Sequence, residues 1–227
     1  MIRRFCFVLF LAILPRLSPV PSLQAGELAL KIQDKQPPPE LAPGIREKLQ
    51  AKAIQLLDGA NPALEFWLVS ELPLQSKPES TAKALDSVKQ ATLLGAVSVS
   101  KARHDYRDDD LAAGVYTMRF GLQPQDGNHL GTAEFPYFAV LIQAKLDTSP
   151  AGITDYKKMV KTSSKDRSSE HPMILSLRPA SSEAGEAPKL KSPAPDHKSV
   201  RVKIPASASS EKTAIVFEIV YDGMGKK

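Results

Sequence analysis

The chain has 227 residues, 42% of them hydrophobic and 6% aromatic, and its 30 Lys and Arg against 25 Asp and Glu give a net charge of +5. That apolar content with modest charge density excludes wholesale disorder, and no clustered basic face is present, so no nucleic-acid partner is expected. The one cysteine, Cys6, excludes an internal disulfide or a multi-cysteine metal centre, so the fold must rest on burial of apolar surface.

At the N-terminus Arg3 and Arg4 precede ten apolar residues, Phe5 to Leu14, which Pro15 and Arg16 stop. This is the layout of a secretory signal peptide over residues 1–25, with cleavage after Ala25. The apolar run is shorter than the roughly 20 residues a spanning helix needs, so no integral membrane span is expected after cleavage. A twin-arginine signal lacks its surrounding motif, and Cys6 precedes the apolar run rather than closing it, so lipid attachment is disfavoured. Loss of Arg3, Arg4 and Arg16, with no acid, lowers the net charge from +5 to +2. The expectation is an exported chain, periplasmic or secreted and cysteine-free when mature, long enough for one all-β domain that buries roughly 70% of its unfolded surface.

Residues 26–40 hold a first strand, Leu28 to Ile32, and a Pro-rich spacer, Pro37 to Glu40, leaving residues 41–227 as a single domain. Pro43 to Leu57 is rich in helix formers, but we place the helix end near Ala51. A strand from Ala53 to Asp58 then turns through Gly59-Ala-Asn-Pro62 to pair with Ala63 to Ser70. Further strands are expected at Leu93 to Val99, Val115 to Leu122, Phe138 to Leu146, Met173 to Leu177, the stretch around Val200, and Ile215 to Tyr221. In Val115 to Leu122, Tyr116, Met118, Phe120 and Leu122 share one face while Thr117 and Arg119 share the other. Val200, Val202 and Ile204 alternate with Arg201 and Lys203 in the same way. Ile153, Tyr156 and Val160 share a helical face over 153–162, with lysines near its end. The Ser-, Pro- and charge-rich stretches 163–170 and 181–199 read as mobile loops. About nine strands and one or two short helices predict an all-β fold, a two-sheet β-sandwich of jelly-roll or Greek-key type.

Catalytic signatures such as a Gly-x-Ser-x-Gly elbow or a phosphate-binding glycine loop are missing from the sequence. Strict antiparallel alternation of the expected strands sends His104 and His171 to one end of the fold and His129 and His197 to the other, which disfavours a three-histidine site. The His104 end gathers Asp105, Asp108, Asp109, Asp110, Glu170 and His171, nitrogen and oxygen donors suited to a divalent cation. The plainer reading is a solvated charged loop, paired internally through Arg103 and Arg107, and three successive aspartates do not match a calcium-loop spacing. At the other end, Gln125, Asp126, Asn128 and His129 form a polar turn beside Phe135 and Tyr137. Turn chemistry explains it without a function, and as a site it would suit a sugar or another small polar molecule. Trp67 reads as core packing.

The segments Glu65-Phe-Trp-Leu, Leu94-Gly-Ala-Val, Ala113 through His129 and His171-Pro-Met-Ile-Leu-Ser-Leu177 resemble a group of uncharacterised signal-peptide-bearing proteins of planctomycete-type bacteria. The resemblance covers about residues 40 to 180, with Gln-Pro-Gln-Asp-Gly-Asn-His as its most specific stretch. It implies an exported all-β protein and assigns no residue a role. The functional expectation is a non-catalytic binding or structural envelope protein. Its partner would be a small polar ligand, a glycan or another envelope protein, and no cofactor is expected. The alternative is a divalent-metal-binding protein or metal-dependent hydrolase using His104, His171 and the nearby acids.

Overall fold

The computed structural model describes residues 28–124 and 133–225 apart from Ser168 and Glu183, so the expected signal peptide and the loop carrying Gln125, Asp126, Asn128 and His129 lie outside the described residues. The protein is all-β, with few and short helices. Its strands are β1 (Ala29–Asp34), β2 (Lys52–Asp58), β3 (Asn61–Leu68), β4 (Leu72–Leu74), β5 (Leu93–Val99), β6 (Arg103–His104), β7 (Asp110–Leu111), β8 (Gly114–Leu122), β9 (Tyr137–Gln143), β10 (Met173–Pro179), β11 (Lys189–Ala194), β12 (His197–Ala208) and β13 (Glu211–Asp222). The α-helices are α1 (Pro43–Arg46) and α2 (Tyr156–Ser163). No described helix is long and apolar enough to cross a membrane.

Eleven strands share one hydrogen-bonded sheet in the order β1-β2-β3-β5-β8-β9-β10-β13-β12-β11, with β4 added beside β12, while β6 and β7 form a separate ribbon. Every pairing in the large sheet is antiparallel except β4 with β12. The order β10-β13-β12-β11 is that of a Greek key: three hairpin-linked strands, the last of which lies beside the strand that precedes them.

The sheet curls because alternate residues of nearly every strand need the same interior. Leu64 and Phe66 of β3, Tyr116, Met118 and Phe120 of β8, Leu175 and Leu177 of β10, Val202 and Ile204 of β12, and Phe217 and Ile219 of β13 all join one core cluster. Leu41, Ile45 and Leu49, on and around α1, belong to the same core. Trp67 is buried, as expected, and its Nε1 donates to the Lys35 carbonyl at 3.0 Å. The Lys35 ammonium in turn reaches Glu65 at 2.7 Å, and Gln55 donates to the same carboxylate at 2.6 Å, so the chain leaving β1 is tied to β2 and β3.

The opposite face of the central strands is covered as well. Phe138, Val140 and Ile142 of β9, Ile174 of β10 and Val220 of β13 pack with Tyr106, Ile153 and Met159 in a second cluster, to which α2 contributes Met159. Asp155 caps α2 by accepting from the Lys158 N–H at 2.8 Å, as an N-cap aspartate does. Thr117 and Arg119, expected to face solvent, are fully buried under the segment that follows β9. Asp147 from that segment accepts from Arg119 at 2.7 and 2.8 Å and from Thr117 at 2.6 Å.

A further expectation needs correction. The stretch 181–199, read as a loop, contains β11 and the start of β12. β11 is an edge strand in which Leu190 pairs with Val200 and Ala194 with His197. The extra strand reverses the chain once more, so His197 lies at the His104 end: its Nε2 is 3.4 Å from the Tyr106 hydroxyl.

Candidate functional site

The end of the sheet where β5 finishes and β8 begins carries the ribbon β6-β7. Asp105 fixes this ribbon from within, because its Oδ1 accepts from the Arg107 and Asp109 N–H groups at 2.8 and 3.1 Å. Its Oδ2 accepts from the Ile174 N–H at 3.1 Å, and the Tyr106 N–H donates to the Ile174 carbonyl at 3.0 Å. Residues 105 and 106 thereby pair with β10 at Ile174, beyond the stretch where β13 runs beside it. Burial pushes the Asp105 carboxyl above its ordinary range, and the three N–H donors pull it part of the way back.

A cleft of about 610 Å³ opens between this ribbon and the segment after α2. Asp108, Asp109, Asp110, Asp166, Arg167 and Tyr116 supply most of its polar wall. The Arg167 guanidinium donates to the carbonyls of Asp110 at 2.9 Å and His171 at 3.2 Å, and Ser169 donates to Asp109 Oδ2 at 3.1 Å, so two distant segments form one rim. Tyr116 is anchored through its hydroxyl to the Ala112 carbonyl at 2.9 Å. Asp108 and Asp166 both have left-handed backbones, with φ of 66 and 63. Aspartate tolerates that conformation better than most residues.

The grouping expected from sequence is met in part. His104 Nδ1 lies 3.8 Å from both Asp108 Oδ1 and Asp110 Oδ1. Glu170 and His171 are exposed on the adjoining segment, held near the ribbon through Ser169 and Arg167. Asp105 is turned inward and spends its carboxylate on backbone N–H groups. The ribbon is not simply a solvated loop paired through Arg103 and Arg107: Asp105, Tyr106 and Leu111 are buried, and Arg103 donates to the Tyr221 carbonyl of β13. Among the described residues, no group of three or more His, Cys, Asp or Glu is disposed to hold a metal ion. Sequence reasoning missed Asp166, Arg167, Ser169, Tyr116 and Gln143 as cleft residues. The only local signal was the alternation that sends Tyr116 inward.

No protein-family model matches the chain, and neither the curated proteins nor the solved structures offer a match. The functional reading therefore rests on the cleft. Its lining holds four carboxylates and one guanidinium that is spent on backbone carbonyls, and although Arg107 Nε lies 4.0 Å from Asp109 Oδ2, acidic groups outnumber basic ones around the cleft. Its volume lies within the roughly 300 to 1,000 Å³ usual for ligand sites.

Proposed function

We propose that the protein is an exported, non-catalytic binding protein whose acidic cleft takes a small polar ligand carrying positive charge. The observation that carries this reading is the concentration of Asp108, Asp109, Asp110 and Asp166 around one concave space whose rim is fixed by Arg167 and Ser169. Focusing of field lines in a low-dielectric cleft raises the local concentration of such a ligand. In the same reading the halves of the curled sheet act as the two layers of a sandwich, with the site at one end of the layers. Export to the periplasm or beyond rests on the signal-like residues 1–25.

The test is a calorimetric titration of the protein with a polyamine, a neutral oligosaccharide and an acidic one. We expect saturable polyamine binding that weakens severalfold in Asp110→Asn, whose side chain is fully exposed and outside the core, and that weakens with added salt. Binding that survives Asp110→Asn and Asp109→Asn but is lost in Asp126→Ala or His129→Ala would move the site to the 125–129 loop. A glycan or an envelope-protein partner would be the reading if only the oligosaccharides bind or if no small ligand does.

A second reading, a divalent-cation site built on His104, Asp108 and Asp110 with His171 or Glu170 in support, is favoured by the equal 3.8 Å separations around the His104 ring. Elemental analysis of purified protein with and without His104→Ala decides it, since this reading requires near-stoichiometric metal that the variant loses.

A further inference from the structure

A second cavity, of about 370 Å³, lies at the opposite end of the sheet, where β5 begins, and shares no lining residue with the acidic cleft. Its floor is apolar: Val69, Ala91, Leu93 and Ile153 are all buried, and they come from three separate stretches of chain. Two cations, Lys48 and Lys89, stand on its rim. Neither ammonium has an ion-pair partner among the described residues, whereas the third charged rim residue, Glu71, is neutralised by Lys212, which donates to both carboxylate oxygens at 2.7 Å. The cavity is thus apolar below and cationic above.

Its walls are pinned from beneath. Arg119 Nη1 donates to the Ala91 carbonyl at 2.8 Å and to the Pro150 carbonyl at 3.1 Å, and Nη2 donates to the Ser149 carbonyl at 2.8 Å. Ala91 and Pro150 both line the cavity, so one buried side chain bridges the segments that form it. A guanidinium held by a carboxylate and three carbonyls fixes the spacing of those segments before any ligand arrives, which lowers the ordering cost of binding.

We infer that this cavity binds a small amphipathic anion, with its apolar body on the Val69, Leu93 and Ile153 floor and its carboxylate or sulfonate between Lys48 and Lys89. The volume, near the low end for ligand sites, suits a medium-chain or single-ring acid rather than a long acyl chain. A neutral apolar molecule would leave both ammoniums without a partner, and a cation would be repelled by them, so charge complementarity selects the anion.

The test uses the full chain and octanoate, with octylamine and octanol as controls of equal length, each displacing anilinonaphthalene sulfonate followed by fluorescence. Octanoate should bind saturably at one site and displace the dye, while octylamine should not. The double variant Lys48→Glu/Lys89→Glu should weaken octanoate about tenfold or more, the sum of two partly exposed charge interactions reversed in sign. Ala151→Trp, placed at an exposed lining position, should block the mouth and abolish binding. All three positions are exposed, so folding should be unaffected, and Lys48→Ala/Lys89→Ala provides a milder version of the same charge test. Asp110→Asn, on the acidic cleft, should leave octanoate affinity unchanged, which separates this site from that one. The inference is overturned if octanoate does not saturate, if octylamine binds as well as octanoate, or if affinity survives both the lysine substitutions and Ala151→Trp.

Discussion

Arg119 sits at an outward position of β8, in a strand whose alternation would normally give that face to water, yet its side chain is fully buried. The charge is tolerated because Asp147 meets it with two parallel hydrogen bonds and three carbonyls take the remaining donors. Removing one partner strands the other charge out of water, so Asp147→Ala and Arg119→Ala should each cost about 3 to 5 kcal/mol in urea unfolding. Replacing both, as Arg119→Met/Asp147→Leu, should recover much of that loss, and a double variant no better than the singles would show that the carbonyl contacts matter more than the pair. Tyr137 makes a different kind of residue-scale statement. Its phenol donates to Asp86 at 2.5 Å, and burial together with this nearby carboxylate raises its pKa from 10.0 to about 12. An acid whose folded-state pKa is raised holds its proton more tightly when folded. Its contribution to stability is therefore whole below pH 10 and disappears as the pH climbs from 10 to about 12. Denaturant midpoints measured over that window should fall more steeply for the native protein than for Tyr137→Phe.

At the scale of elements, β5 lies tightly against β3 at Gly95. A Cβ there would lie 2.3 Å from the Trp67 carbonyl oxygen and 3.1 Å from Leu68 Cα, both backbone atoms of β3 that have nowhere to go. The ladder between β5 and β8 shifts register between Leu93 and Gly95, at the same place. Gly95→Ala should cost roughly 3 kcal/mol by forcing the two strands apart, and a melting temperature equal to that of the native protein would contradict the close approach. The elements also show what could be read from sequence and what could not. β8 and the middle of β12 were legible because each carries its own period of two, β13 because Ile215 to Tyr221 is a nearly continuous apolar run, and the β2-β3 hairpin because Gly59, with φ of 62, lies in its turn. β11 was not legible: Lys189-Leu-Lys-Ser-Pro-Ala has one large apolar residue and a proline, a composition that fits an edge strand once β12 supplies the partner. The burial of Thr117 and Arg119 was invisible for a related reason, since their cover comes from residues 147–150, which no local pattern assigns to that face. The acidic cleft was half legible. Asp108 to Asp110 were noticed as a run, but Asp166 and Arg167 join them only through the docking of a distant segment.

For the molecule as a whole, a single curled sheet has two ends to its ladder, β1 and β11, each paired on one side only. Lys31 in β1 and Lys189 and Lys191 in β11 place charge on those outer strands, a common guard against edge-to-edge association. Stability should therefore be graded across the sheet. Amide hydrogen exchange is expected to be fastest in β1 and β11, which are mostly exposed, and slowest in β8, β9 and β13, which have neighbours on both sides and cover on both faces. Uniform protection from β1 to β11 would argue against the layered burial described here.

The short ladder between β4 and β12 joins Leu72 to Ala206, and among the described strands it is the one parallel pairing. A polypeptide emerging in order from its N-terminus can zip β1, β2 and β3 together and bridge Leu74 to Val88, but the ladder partner of β4 lies far along the chain, in β12. A chain that stops short of β12 lacks Val202, Ile204, Phe217 and Ile219, and with them one wall of the main core. Pairings between residues so far apart in sequence form late, and apolar surface stays open to water until they do.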